Sequence, residues 1–194
     1  APAPAAKPPA HATPAVDEHL TPDLALQRLI DGNARYASGH SAHPHQTVAR
    51  RVEVAKGQHP IAAIVTCSDS RVPPELFLDQ GLGDLFVLRN AGNILDDHTI
   101  GSIEYAVEHL HAGLIIVVGH AKCGAVSAAV AGGHAPGHIH TIVDSIKPAV
   151  DASKDQPGDK VDLAVRAHAR RVAEILGRVE PIVGPAVKEG REIG

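Results

Sequence analysis

The sequence has no tryptophan and only two phenylalanines and two tyrosines among its 194 residues. So few rings leave little to stack on bases or sugar faces, which argues against a single-strand nucleic-acid or carbohydrate-binding module and predicts an aliphatic core. Positive charge is also short: 18 Lys and Arg stand against 22 Asp and Glu, a formal net charge of −4. No basic field is available to hold a phosphate backbone, and no nucleic-acid partner is expected. Long apolar runs are missing, since the longest strongly apolar stretch is Leu114 to Gly119, far below the roughly 20 residues of a spanning helix. A soluble chain without a membrane partner is expected. The two cysteines, Cys67 and Cys123, are too few for a disulfide framework, which turns attention to their chemistry. Methionine is absent even at position 1. This start predicts a mature form, exported to the periplasm or secreted after signal removal, with a cytoplasmic protein as the other possibility.

What is present has a clear order. Residues 1 to 20 open as Ala and Pro, and six of the 15 prolines fall within the first 22 positions, so this segment is expected to be a flexible or polyproline-like arm. Residues 21 to 194 are expected to form one domain, a size that buries its own core. Thr21-Pro22-Asp23 supplies a capping hydroxyl, a proline suited to the first helical position and an acid near the positive helix end. The spacing predicts a helix to about Ala37, burying Leu26, Leu29, Ile30 and Asn33/Ala37. Short apolar runs then follow at Ile61 to Thr66, Leu85 to Leu88 and Leu114 to Val118, which read as strands buried on both faces. Helices are expected at Pro74 to Asp79, Thr99 to His111, Gly124 to Ala131 and about Val161 to Arg178. The alternation predicts an α/β fold with a mostly parallel central sheet flanked by helices.

Ligands of open α/β sheets sit beyond the carboxyl ends of the strands. The first strand ends in Cys67-Ser68-Asp69-Ser70-Arg71 and the third in Gly119-His120-Ala121-Lys122-Cys123-Gly124, so both cysteines lie there. Two sulfurs and one imidazole suit Zn2+, and Cys67, His120 and Cys123 are the candidate metal ligands. Three protein ligands leave a fourth place open, which Asp69 could fill reversibly. A redox pair is the competing reading, but there is no Cys-x-x-Cys motif and the two residues come from separate strands. Inert packing would need both positions to be coincidence.

The blocks Thr66-Cys67-Ser68-Asp69-Ser70-Arg71-Val72-Pro73, Leu85-Phe86-Val87-Leu88-Arg89-Asn90-Ala91-Gly92-Asn93 and Gly119-His120-Ala121-Lys122-Cys123-Gly124, in this order, closely resemble the β-class carbonic anhydrases. The resemblance spans about residues 22 to 193. It implies a zinc lyase that reversibly hydrates carbon dioxide to bicarbonate and a proton with hydroxide generated on the metal, in a homodimer or dimer of dimers. It also implies Cys67, His120 and Cys123 as zinc ligands and Asp69 with Arg71 as the catalytic pair. By the same resemblance Gln58 reaches a neighbouring subunit's pocket, Phe86, Ala91 and Tyr105 line that pocket, and Gly124 follows the last ligand. Ile64 stands where bicarbonate-regulated members carry Trp, which speaks against a regulatory site at Arg89. The family usually ends in another strand, whereas this chain stops at Gly194. The short link from Asn93 to Tyr105 points to a bacterial type.

A carbon disulfide or carbonyl sulfide hydrolase on the same scaffold, and a non-enzymatic zinc or redox module, are the alternative functions. His109 follows Tyr105 by four residues on one predicted helix and is a candidate for proton transfer to solvent. His134, His138 and His140, like His40, His43 and His45, read as solvated loop residues.

Overall fold

The computed structural model describes residues 20–194. The predicted arm lies outside them except for Leu20, which packs beneath the first helix. That helix, α1 (Pro22–Ala37), begins as the sequence predicts, with the Thr21 hydroxyl accepting the Leu24 N–H at 3.4 Å. Its buried face differs, however, consisting of Ala25, Leu29 and Gly32, with Ile30, Asn33 and Ala37 exposed. Gly32 explains the rotation: a Cβ there would stand 1.9 Å from the Leu78 carbonyl oxygen, so only glycine lets α1 come this close. A second helix, α2 (Val48–Val54), follows.

The sheet consists of β1 (Ala62–Cys67), β2 (Leu85–Asn90), β3 (Leu114–Val118) and β4 (Glu192–Ile193), in the order β2-β1-β3-β4 with every pair parallel. Between and after the strands come α3 (Pro74–Phe77), a 3₁₀ turn at Ala91–Asn93, α4 (Asp97–Glu108), α5 (Gly124–Ala131), α6 (Ile139–Ser153), α7 (Lys160–Leu176) and α8 (Val183–Lys188). The final strand expected of the family is thus present, as two residues pairing Glu192 with Leu114 and Ile193 with Ile115. Every residue of β1 is buried, as predicted for a central strand, but β2 is mostly half-buried because it is an edge.

Successive β1 residues alternate between two layers. Ala63 and Val65 face α4, α7 and α8 through Ile103, Val107, Val172, Leu176 and Val183. Ala62 and Ile64 face α1 and the segment after α3, through Ala25, Leu29 and Leu78. A third cluster, Val126, Ile146, Ala164 and Val165 from α5, α6 and α7, closes around Cys67 and Cys123. Each large aliphatic side chain buried here stabilises the fold by about 1.5–3 kcal/mol.

Near the amino ends of the strands the core is charged. Asp84, almost fully buried, accepts hydrogen bonds from His45 Nδ1 at 2.7 Å and from the Gly81 N–H at 2.8 Å, and pairs with Arg28 at 3.2 Å. His45 is therefore a packed partner of Asp84 rather than a solvated loop residue. His138 and His140 are exposed as expected, but they begin α6 instead of sitting in a loop. Among the described residues no helix is long and apolar enough to cross a membrane.

Candidate metal centre

Three connections converge where β1 and β3 end. Cys67 is the last residue of β1, and its register partner Asn90 is the last of β2. His120 lies two residues beyond β3, and Cys123 caps the amino end of α5. The donor atoms of Cys67, His120 and Cys123 all lie within 4.8 Å of one another, and the two sulfurs are 4.0 Å apart. Both cysteines are buried free thiols.

The imidazole is already oriented. His120 Nδ1–H donates to the Ala121 carbonyl at 3.1 Å, which leaves the lone pair on Nε2. That atom is buried and has no hydrogen-bond partner. A buried, unpartnered imidazole nitrogen beside two sulfurs has the composition of a thiophilic metal site, and these residues fit Zn2+. The two thiols share a proton: Cys67 accepts from Cys123 and from the Gly92 N–H at 3.3 Å, which lowers its pKa, while that sharing and burial raise the pKa of Cys123. Of the two sulfurs, these contacts favour the thiolate on Cys67.

Asp69 is turned towards Arg71. Arg71 Nε and Nη2 donate to the two carboxylate oxygens at 2.8 and 2.7 Å, the Arg71 backbone N–H adds a third bond at 3.0 Å, and these hold the carboxyl well below the usual carboxylate range. Asp69 Oδ2 stands 3.9 Å from His120 Nε2, beside the donor cluster. Arg71 also donates to the Lys122 carbonyl at 3.2 Å, linking the β1 loop to the β3 loop.

Two residues given no positive role by the sequence reading hold this geometry. Arg89 donates to the Cys67 and Asp69 carbonyls at 2.9 and 2.6 Å, fixing the loop that carries both side chains. Asn90 closes the turn after β2, accepting the Ile94 N–H at 2.8 Å and donating to the Ile94 carbonyl at 2.9 Å. Their place in the block Leu85 to Asn93 was the available signal.

The remaining predicted site residues divide. Ala91 and Gly124 adjoin the cluster, flanking Gly92 and Cys123, and a Cβ at Gly124 would meet nothing within 4 Å. Gln58 lies four residues before β1, whose first residue, Ala62, is about 16 Å from Cys67 at 3.3 Å per residue. Phe86 pairs with Ala63, four residues before the Cys67–Asn90 pair, or about 13 Å along the strand. Tyr105 packs on Phe86 with ring centroids 6.2 Å apart, and His109 on Tyr105 at 5.1 Å. His109 caps the far end of α4, about 18 Å along the helix from its start. On the other side of His120 lies an open, mainly apolar groove of about 460 Å³, lined in part by Leu26, Ile30, Val72, Phe77 and Val118.

The carbonic anhydrase family model matches residues 62–193. Over 162 residues the chain is 42% identical to carbonic anhydrase 2 of Mycobacterium tuberculosis, covering 81% of this chain and 78% of that protein. It is 38% identical over 177 residues to a carbonic anhydrase of Mycolicibacterium smegmatis, covering 89% and 84%. Among solved structures, one of two tetrameric β-carbonic anhydrases from Sordaria macrospora superposes with a TM-score of 0.68 at 28% identity, covering 87% and 88% of the two chains. A Coccomyxa β-carbonic anhydrase in complex with acetazolamide gives 0.66 at 27% identity, covering 87% and 78%.

Proposed function

The chain belongs to the β-carbonic anhydrases, enzymes that interconvert carbon dioxide and bicarbonate, and from that premise we propose how its own residues divide the work. Cys67, His120 and Cys123 hold Zn2+. The observation that carries this assignment is the buried, unpartnered His120 Nε2 within 4.8 Å of both sulfurs. Zinc bound there lowers the pKa of a water to about 7 and so supplies a nucleophile at neutral pH.

Asp69 and Arg71 act as a gate. The ionised carboxylate competes for the fourth place beside the ligands, and Arg71 holds it away through its paired, charge-assisted hydrogen bonds. Arg89 keeps both ends of the loop in position while the carboxylate exchanges partners. Ala91 and Gly124 leave room for a small, linear, apolar substrate beside the ligands. This reading is favoured over carbon disulfide hydrolysis or a non-catalytic zinc or redox module, because the relatives at 38–42% identity over most of the chain are carbonic anhydrases.

The pocket is completed by a second copy of the chain. Phe86 stands about 13 Å along the sheet from its own cluster, Tyr105 of α4 packs on it, and Gln58 precedes β1, whereas Tyr105, 47% exposed, and the groove beside His120 are open to a partner. A homodimer or a dimer of dimers supplies it. Sedimentation run alongside carbon dioxide hydration tests the assembly: activity should fall as the oligomer dissociates, and a fully active monomer would refute the shared pocket. Metal analysis of Cys67→Ser tests the ligand set, with loss of zinc expected and full retention contradicting it.

A further inference from the structure

We propose that His168, on α7, is a positioning residue for the metal centre: through Gly92 it fixes the hydrogen bond that the Gly92 N–H makes to the Cys67 sulfur. The proposal rests on Cys67 being a metal ligand. His168 is 3% exposed, and its Nε2–H donates to the Gly92 carbonyl at 2.8 Å across 76 residues of sequence. Its Nδ1 is buried with no partner, so one hydrogen bond anchors the whole ring. Burial lowers the pKa of His168, keeping it neutral with the proton on the nitrogen that donates.

Gly92 needs such an anchor. It sits at φ 72°, ψ 17°, a left-handed conformation inside the short turn after β2, and in that conformation its N–H points at Cys67 Sγ, 3.3 Å away. An N–H bond to a thiolate withdraws charge from the sulfur and fixes its direction, which governs how it donates to a metal. The same face of α7 supports the other strand end. Val165 and Ala169 pack on Gly119, next to His120, where a Cβ would come within 2.7 Å of Val165 Cγ1. One face of α7, with residues at helical spacing, thus braces both loops that supply ligands.

The test compares His168→Leu, which fills the volume without a donor, with His168→Gln, whose side-chain amide can donate to the same carbonyl. In metal-free protein, Gly92 amide exchange measured by NMR should accelerate in His168→Leu and stay near wild type in His168→Gln. Zinc affinity, from competition with a chromophoric chelator, should fall about 10- to 100-fold in His168→Leu and recover in His168→Gln. In protein loaded with a spin-active cadmium isotope, the Gly92 amide proton should couple to the metal in wild type and His168→Gln and lose that coupling in His168→Leu. If the leucine variant does not fold, His168→Asn, too short to reach the carbonyl, takes its place with the same expectations. Unchanged exchange, affinity and coupling in the donor-free variant would overturn the proposal. Failure of the wild type to bind either metal would instead overturn the metal-centre reading.

Discussion

Replacing Gly92 with alanine adds a single methyl group, and the structure shows where it would go. The new Cβ would lie 2.7 Å from Ile146 Cδ1 and 3.0 Å from the Ala125 Cβ, both too close for carbon. Ile146 of α6 is fully buried in the cluster it forms with residues of α5 and α7. The backbone adds a second cost, because φ is 72° and left-handed conformation costs an L-residue about 1–2 kcal/mol. Overpacking a closed core adds about 1–3 kcal/mol. The two together predict a loss of about 2–5 kcal/mol, with the turn displaced from Cys67. Gly101 provides the internal control. It lies within α4, exposed, and a Cβ there would meet nothing within 4 Å, so Gly101→Ala should stabilise the protein by about 0.5–1 kcal/mol through helix propensity alone. Urea unfolding followed by circular dichroism reads both variants, and a zinc titration reads the site. The reasoning is refuted if both substitutions shift stability by the same amount, or if Gly92→Ala matches wild type in stability and zinc affinity.

Other outcomes follow from the same geometry. Arg71→Ala should keep zinc yet lose most turnover, because the two guanidinium bonds that turn the Asp69 carboxylate away from the ligands are lost; normal turnover with an unshifted pH profile would remove Arg71 as the gate. Asp84→Ala should cost about 3–5 kcal/mol, measured by denaturant unfolding, because it removes the buried carboxylate that Arg28, His45 and, at 3.7 Å, the buried Arg50 share. For metal-free protein the sign at the thiol pair is set by both directions. The lowered Cys67 value contributes stability that is full above the ordinary thiol pKa of about 8.5 and is lost as pH falls through the lowered value. The raised Cys123 value contributes stability that is full below about 8.5 and lost as pH rises past it. Metal-free stability from this pair should therefore climb with pH up to about 8.5 and fall above it, with one thiolate per chain at neutral pH by ultraviolet absorbance. Two thiolates, or none, at neutral pH would contradict the shared proton.

The parts of the molecule that could be read from the sequence are those whose information is local. The β3 and α5 bounds follow from an apolar run closed by Gly119 and from the helix opening at Gly124, and the Cys67, His120 and Cys123 set follows from placing strand ends side by side. Helix α6 was not expected, although Ile142, Val143, Ile146, Ala149 and Val150 recur at helical spacing. Pro148 reads as a breaker, yet packing of Ile146 and Ala149 outweighs it. The buried face of α1 was misjudged because Gly32 carries no hydrophobic signal; its role depends on the Leu78 carbonyl, 46 positions later in the numbering. His168 was invisible for the same reason, since its partner Gly92 lies 76 residues away. In the proposed assembly Gln58, Phe86 and Tyr105 act towards a second copy, and periodicity within one chain does not encode distance to another.

The most direct test of the central claim combines metal analysis with stopped-flow carbon dioxide hydration on the same preparation, before and after chelation and after zinc is restored. One zinc per chain, hydration lost with the metal and regained with it, and neither metal nor hydration in Cys67→Ser is the predicted result. A metal-free protein that hydrates carbon dioxide at the full rate, or a Cys67→Ser variant that keeps both zinc and activity, would contradict it.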